Sequence, residues 1–472
     1  MFLRLLALAA ALCCLYFFNL AGTGLLGPDE PRYASIGREM ARSGDWTTPR
    51  LWGEPWFEKP ALLYWMIGVA FRLGLNENLA PRLPVALLSC AFLIFYFWIL
   101  RREFGPRPAM LATVVLATSA GWLGFSHVGV TDLPLAAFFS AAMLLSLDWL
   151  RSGSRRLLPW AAACLGLAVL SKGLIPIVLM LPLIWYGRRR FVDLLRPPVL
   201  LSLLLVAAPW YVLVYARHGA PFLETFILEH HLGRFASEAL QHVQPLWFYL
   251  PVLAGALFPW TPALVLLFRR SLYSDPRRVF LLAWLLFGLV FLSIATNKLP
   301  GYILPLVPAA AALTGLALDE ARDRRWVLCA SAVLLCLVVP LADVLPQALA
   351  GGLSRATWPA FRLFWLLPVV LAVPLWRFAQ RPAAVASLAA AVVVAVIYLK
   401  VAAFPRLDAL ASARPVWRQV AAVRESACVD DIHRNFRYGL NYYSTVPLPG
   451  CDVDPRATRV TQAVGQPPGI AR

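Results

Sequence analysis

The sequence predicts an all-α membrane protein, a polytopic bundle of about 13 transmembrane helices with a small α/β unit in its C-terminal tail. Three observations predict it. The 472 residues are 60% hydrophobic and only 14% charged, which leaves too little polar surface to cover a soluble globule. The apolar residues fall in blocks of about 17 to 22, the length a helix needs to cross the hydrocarbon core. Arginines gather on alternate loops between the blocks, which marks those loops as cytoplasmic.

The first block, Phe2 to Leu20, carries Arg4 and then runs apolar without interruption. A cleaved signal peptide is the rival reading, but no small-x-small cleavage pattern leading into a soluble region follows, so the block reads as an uncleaved span. Further spans are expected near 83–100, 109–126, 133–150, 157–171, 174–187, 197–216, 246–267, 279–296, 303–318, 326–343, 362–376 and 382–400. The clusters Arg101/Arg102/Arg107, Arg151/Arg155/Arg156, Arg188 to Arg190 with Arg196, Arg269/Arg270/Arg277/Arg278, Arg322/Arg324/Arg325 and Arg377/Arg381 fall on the inner side of these spans. Thirteen spans with the N-terminus inside put the C-terminal tail outside. The formal net charge of +18 is therefore a topology signal, and no nucleic-acid partner is expected.

Two units are expected: a transmembrane domain over residues 1–400, with a long outer loop at 21–82, and a small outer unit over 401–472. Cys13, Cys14, Cys90, Cys164, Cys329 and Cys336 lie within spans and read as small buried hydrophobes. Cys428 and Cys451 sit in the outer tail, an oxidising setting, where a disulfide between them would staple a unit with a modest core.

In the first outer loop, Pro31 to Ser43 reads as a short helix stopped by Gly44, with Tyr33, Ile36 and Met40 on its apolar side, resting in the interface plane. A second outer loop, Arg217 to Pro245, gathers Glu224, Glu229, His230, His231, Arg234, Glu238 and His242.

Lysine usage is the sharpest clue. Among 43 basic residues there are four lysines, Lys59, Lys172, Lys298 and Lys400, and all stand at outer ends of spans or in the first outer loop. A compact ammonium suits a single phosphate oxygen better than a guanidinium does. A snorkelling interface anchor is the structural alternative, and it is the reading for Lys400, whose replacement should matter little.

Four segments carry a family resemblance: Gly27-Pro28-Asp29-Glu30-Pro31-Arg32-Tyr33-Ala34, Trp56-Phe57-Glu58-Lys59-Pro60, Glu229-His230-His231-Leu232-Gly233-Arg234-Phe235, and Asn297-Lys298-Leu299-Pro300-Gly301-Tyr302. In order and spacing they resemble the bacterial aminoarabinose transferases, which belong with the protein O-mannosyltransferases to the type C glycosyltransferases. The resemblance runs over roughly two thirds of the chain. It implies an undecaprenyl-phosphate sugar donor, a periplasmic active site in the bacterial inner membrane and inversion at the anomeric carbon.

Such a transfer needs cations for the charge growing on the departing phosphate and an acceptor aligned on the opposite face of the sugar. Lys59, Arg234 and Lys298 are the candidate phosphate cations, with Tyr302 as a further donor implied by the resemblance. Asp29, ahead of a helix N-terminus, is the candidate base or acceptor-orienting carboxylate. Glu30 stands beside it as a second carboxylate or a helix cap, and Asp132 as either a group near the reaction centre or an N-cap. Glu58 with His231, or His230 one register away, is a possible divalent metal pair (zinc, magnesium or manganese) implied by the resemblance, although two ligands are too few for a structural site and no cofactor is required. Trp56, where the family has tyrosine, suggests stacking on sugar or lipid.

The expected partners are a polyprenyl-phosphate sugar, membrane lipids and an outer-leaflet or periplasmic lipid or glycan acceptor such as lipid A, with the chain acting as a monomer. Serine or threonine of secreted proteins is an alternative acceptor. A lipid-linked sugar flippase is the reading from another class, and the spans carry almost no charge away from their ends, unlike a midplane transport site.

Overall fold

The computed structural model describes residues 2–226, 243–463 and 465–471. The chain is mostly helical. It opens with α1 (Phe2–Leu12), which widens over Cys13–Phe17, then an outer segment with α2 (Asp29–Ser43), the hairpin β1 (Arg50–Leu51) and β2 (Glu54–Pro55), and α3 (Leu62–Arg72). The bundle continues with α4 (Leu83–Phe104), α5 (Pro106–Ala117), α6 (Ala120–Ser126), α7 (Asp132–Leu145), α8 (Leu147–Ser152) and α9 (Leu158–Lys172).

Among the described residues, seven helices are long and apolar enough to cross a membrane: Leu83–Phe104, Asp132–Ser152, Pro197–His218, Pro276–Ile294, Pro300–Glu320, Arg325–Gly351 and Pro382–Ala402. Two bent pairs raise the number to nine, one breaking by 58° between Ala117 and Ala120 and one by 114° between Ala256 and Thr261. The protein is thus a multi-pass membrane protein. Thirteen spans are not reached on these criteria, because several expected spans are shorter helices: Leu6–Phe17, Leu158–Lys172, Ile175–Tyr186 and Leu363–Phe378. Local sequence cannot separate such a short helix from a full crossing, since both are apolar runs.

The outer helix α2 starts two residues earlier than its proline suggests, so Asp29 and Glu30 occupy its first turn, where the helix dipole favours acids. Gly44 ends it with φ of 76°, its N–H bonded to the Met40 carbonyl. Tyr33, Ile36 and Met40 are buried as the pattern requires. The helix is not an open interfacial element, however. Gly37 of α2 and Gly68 of α3 face one another, and a Cβ on Gly37 would stand 2.7 Å from the Ile67 Cβ. The two helices pack closely because neither has a side chain there.

The far side of α2 is covered by the C-terminal tail. That tail holds a three-stranded sheet in the order β3 (Ala427–Val429), β4 (Thr458–Thr461), β5 (Gly469–Ala471), parallel then antiparallel. A helix, Arg434–Ser444, lies between β3 and β4, and the Cys428–Cys451 disulfide closes the loop that contains it. Its own apolar cluster includes Val416, Val420, Phe436, Leu440, Leu448 and Val460, and extends to Leu25 ahead of α2 and Ala34 within it.

Lys400 corrects the reading of it as an interface anchor. It is buried, and its Nζ donates to the carbonyls of Leu15 at 3.0 Å and Phe18 at 2.8 Å, where the first helix ends. Those carbonyls have no partner within the helix, and the ammonium supplies one.

Candidate active site

Two short elements deliver the site's first group. The β1–β2 hairpin turns through Trp52 (φ 56°) and Gly53 (φ 89°), and the Gly53 N–H is held by the Glu39 carboxylate of α2 at 3.1 Å. Tied down in this way, the hairpin hands the chain to Trp56, Phe57, Glu58 and Lys59 directly beside the first turn of α2. There the Arg32 guanidinium pairs with Asp29 through Nη2, donates from Nη1 to Glu58 Oε2 at 2.9 Å and from Nε to the Pro28 carbonyl at 3.1 Å. Lys59 Nζ stands 3.4 Å from the other oxygen of Glu58.

The group alternates in charge: carboxylate, guanidinium, carboxylate, ammonium. Burial works against the charge on Arg32, but Glu58 and Asp29 outweigh it and hold its pKa above the ordinary value. Tyr33 is pushed up by burial first and then by the same two carboxylates, so it stays a neutral phenol.

The second group sits where α7 and α9 meet the segment around Tyr302. Lys172, in the last turn of α9, donates to Asp132 Oδ1 at 2.6 Å, and its Nζ lies 4.5 Å from the centre of the Tyr302 ring. Asp132 opens α7 without capping it, and the helix has no side-chain cap bond at Thr131. Gly301 makes the close approach of this segment possible: a Cβ on it would stand 2.8 Å from Asp132 Oδ1 and from the Phe125 ring. Lys298, three residues before Gly301, is buried and donates to the Gln244 carbonyl at 2.8 Å.

Glu30 is placed differently from its neighbour. It is fully buried and accepts two bonds from Arg82, at 2.7 and 2.9 Å, with further bonds from the N–H groups of Leu26 (2.8 Å) and Gly129 (3.0 Å). Arg82 spends its remaining donors on the carbonyls of Leu20, Thr23 and Gly24. This pair fixes the start of α2 to the start of α4 and to Gly129, just ahead of Asp132. Neither carboxylate oxygen of Glu30 is open to a reactant.

The structure thus brings Asp29, Glu58 and Lys59 into one group and Asp132 and Tyr302 into a second, with Lys298 on the same segment as Tyr302. Arg234, His231 and His230 lie outside the described residues. Sequence reasoning passed over Arg32, Lys172 and Arg82. Lys172 carried a signal, being one of four lysines; Arg32 and Arg82 lie in the loop expected on the outer side, where the clusters predict few arginines.

Among the described residues, no three His, Cys, Asp or Glu side chains form a group that could hold a metal ion. Glu58 faces two cations, Arg32 and Lys59, which a divalent ion would have to displace. The histidine that the resemblance pairs with Glu58 lies outside the described residues.

Residues 58–215 match the family model for dolichyl-phosphate-mannose-protein mannosyltransferase. The crystal structure of ArnT from Cupriavidus metallidurans bound to undecaprenyl phosphate superposes with a TM-score of 0.75 at 25% identity, covering 97% of this chain and 92% of that one. This chain has the aminoarabinose-transferase-like, type C glycosyltransferase fold. Among curated relatives, the undecaprenyl phosphate-alpha-4-amino-4-deoxy-L-arabinose arabinosyl transferase of Edwardsiella ictaluri is 35% identical over 328 residues, 65% of this chain and 58% of that protein. The enzyme of that name from Pseudomonas aeruginosa PAO1 is 35% identical over 321 residues, again 65% and 58%. The alignment spans less than two thirds of the length of these relatives. In this fold the Asp29 and Lys59 segments lie on the loop that follows the first helix, and the Lys298 segment leads into the buried helix Val307–Glu320.

Proposed function

We propose that the protein is a glycosyltransferase of the bacterial inner membrane, with its site on the periplasmic side, that moves a sugar from undecaprenyl phosphate to an envelope acceptor such as lipid A. The observation that supports the reading is a fold shared with a protein solved with undecaprenyl phosphate, in which Lys59 pairs with a carboxylate group that includes Asp29, and Lys172 pairs with Asp132 beside Tyr302.

In the transfer, the bond between the anomeric carbon and the donor phosphate oxygen breaks as an acceptor oxygen bonds the carbon from the opposite face, inverting it. The electron pair leaves on the polyprenyl phosphate. Lys59 and Lys298, with Arg234 and the Tyr302 hydroxyl, neutralise that charge in a site with little water, where a fixed cation acts strongly. Asp29 orients the acceptor and accepts its proton where the acceptor is a hydroxyl; a phosphate acceptor already carries the charge. Asp132, held by Lys172, lies beside Gly301 and stabilises positive charge on the sugar ring. The 401–472 unit closes over α2 from the periplasm.

The mannosyltransferase family match over residues 58–215 favours one alternative acceptor, serine or threonine of secreted proteins. Incubation of purified protein with undecaprenyl-phosphate-4-amino-4-deoxy-L-arabinose and lipid A, read by mass spectrometry, tests the reading. Lys59→Ala and Lys298→Ala should each lower transfer about a hundredfold with the protein still folded. Full turnover by either variant removes that lysine from the phosphate site, and absence of transfer by the wild-type protein to lipid A, glycans or protein removes the reading.

A further inference from the structure

The edges of the Arg32 guanidinium are taken by Asp29, Glu58 and the Pro28 carbonyl, and its carbon lies over aromatic rings from two further parts of the chain. The Trp56 ring centre lies 5.4 Å from the guanidinium carbon, and the Tyr438 ring centre 5.1 Å from it. Trp56 follows the hairpin; Tyr438 belongs to the helix Arg434–Ser444 in the C-terminal tail.

That helix is anchored independently of Tyr438. Four residues on, Tyr442 stacks on Arg38 at 4.3 Å, its carbonyl accepts from Arg38 Nη2 at 2.7 Å, and its hydroxyl donates to the Glu77 carbonyl at 2.6 Å. The Tyr443 hydroxyl donates to Asn78 Oδ1 at 2.8 Å and accepts from the Leu25 N–H at 3.1 Å. Two tyrosines one helical turn apart therefore stack on two arginines of α2. The disulfide closes the loop around them.

The opposite end of the arrangement is strained. Trp52 holds a φ of 56°, a left-handed conformation uncommon for a large side chain, and its ring stacks on Tyr438 at 5.8 Å with 18° between planes. Strain of this kind persists where the surroundings over-determine it, and it gathers at functional sites. Here it carries an aromatic ring onto the residue that covers Arg32.

We propose that Tyr438 is a positioning residue of the active site: its ring clamps Arg32 against Trp56, and the clamped guanidinium holds Asp29 and Glu58 in their working orientation. The C-terminal unit is then a working part of the site. A guanidinium stacks on an aromatic face through its charge and its planarity, so the ring of Tyr438 is what matters and its hydroxyl is not. The proposal rests on the glycosyltransferase reading for its effect on turnover, but the clamp itself has a readout of its own.

Tyr438→Phe keeps the ring and Tyr438→Leu keeps bulk without it. With undecaprenyl-phosphate-4-amino-4-deoxy-L-arabinose and lipid A, Tyr438→Phe should stay within about twofold of wild type, while Tyr438→Leu should lose about tenfold or more in kcat with an unchanged donor KM. Both variants should bind undecaprenyl phosphate as wild type does. Hydrogen exchange reads the clamp directly: Tyr438→Leu should speed exchange in peptides covering 28–34 and 52–58 and leave 297–305 as it was. Wild-type turnover by Tyr438→Leu, an equal loss in Tyr438→Phe, or unaltered exchange at 28–34 overturns the proposal. If the wild-type protein transfers no sugar, the proposed function fails, and exchange alone decides the clamp.

Discussion

Asp29 and Glu30 are consecutive acids in one helical turn, and each meets an arginine. The side chain of Glu30 is 0% exposed, and its partner Arg82 only 2%. The side chain of Asp29 is 44% exposed, with Arg32 at 13%. The inner pair has every strong hydrogen-bonding position filled by the loop before α2, by α4 and by Gly129. The outer pair is joined to a second carboxylate, Glu58, and through it to Lys59, with one face of Asp29 open. Helical periodicity makes the difference, since neighbouring residues on a helix point about 100° apart. One acid is committed to the bundle, and the other keeps an open face.

The comparison breaks most visibly at the inner pair. Replacing Glu30 by Gln leaves the buried Arg82 charge uncompensated, which should destabilise the protein by about 3–5 kcal/mol. Thermal unfolding in detergent should show this as a large loss of melting temperature. Glu30→Gln should lose activity only in proportion to the folded protein lost, and a stable but inactive variant would mean that Glu30 acts in the chemistry itself.

A smaller effect is expected at Lys400, which plays a similar inner role at the far end of the chain. Lys400→Ala leaves the Leu15 and Phe18 carbonyls without their donor and should destabilise by about 1–3 kcal/mol with transfer by the folded fraction unchanged. Unaltered melting would return Lys400 to the role of an interface anchor.

Much of this arrangement was legible in the sequence. Apolar blocks and arginine loops announced a multi-pass helical bundle, and the two cysteines of the tail announced a disulfide, which joins Cys428 to Cys451. Lysine scarcity pointed to Lys59 and Lys298, and a resemblance in four segments pointed to Asp29 and Tyr302. What could not be read was partnership across the chain. Glu30 and Asp29 look alike until Arg82, 52 positions away, claims one of them. Lys400 looks like an anchor until the end of the first helix, more than 380 positions back, is seen to need its ammonium. Tyr438 belongs to a Tyr-rich stretch whose role depends on α2, to which no local pattern connects it. Periodicity reports which face of an element is buried, but not what it is buried against.

The proposed division of roles is that the open acid, Asp29, serves the transfer while the buried acid beside it serves the fold. It is tested most directly by Asp29→Asn, a nearly isosteric change, in single-turnover transfer from undecaprenyl-phosphate-4-amino-4-deoxy-L-arabinose. The account predicts a rate about a hundredfold lower or more, with wild-type melting temperature and wild-type binding of undecaprenyl phosphate. Full transfer by Asp29→Asn, or a loss explained by unfolding, would contradict it.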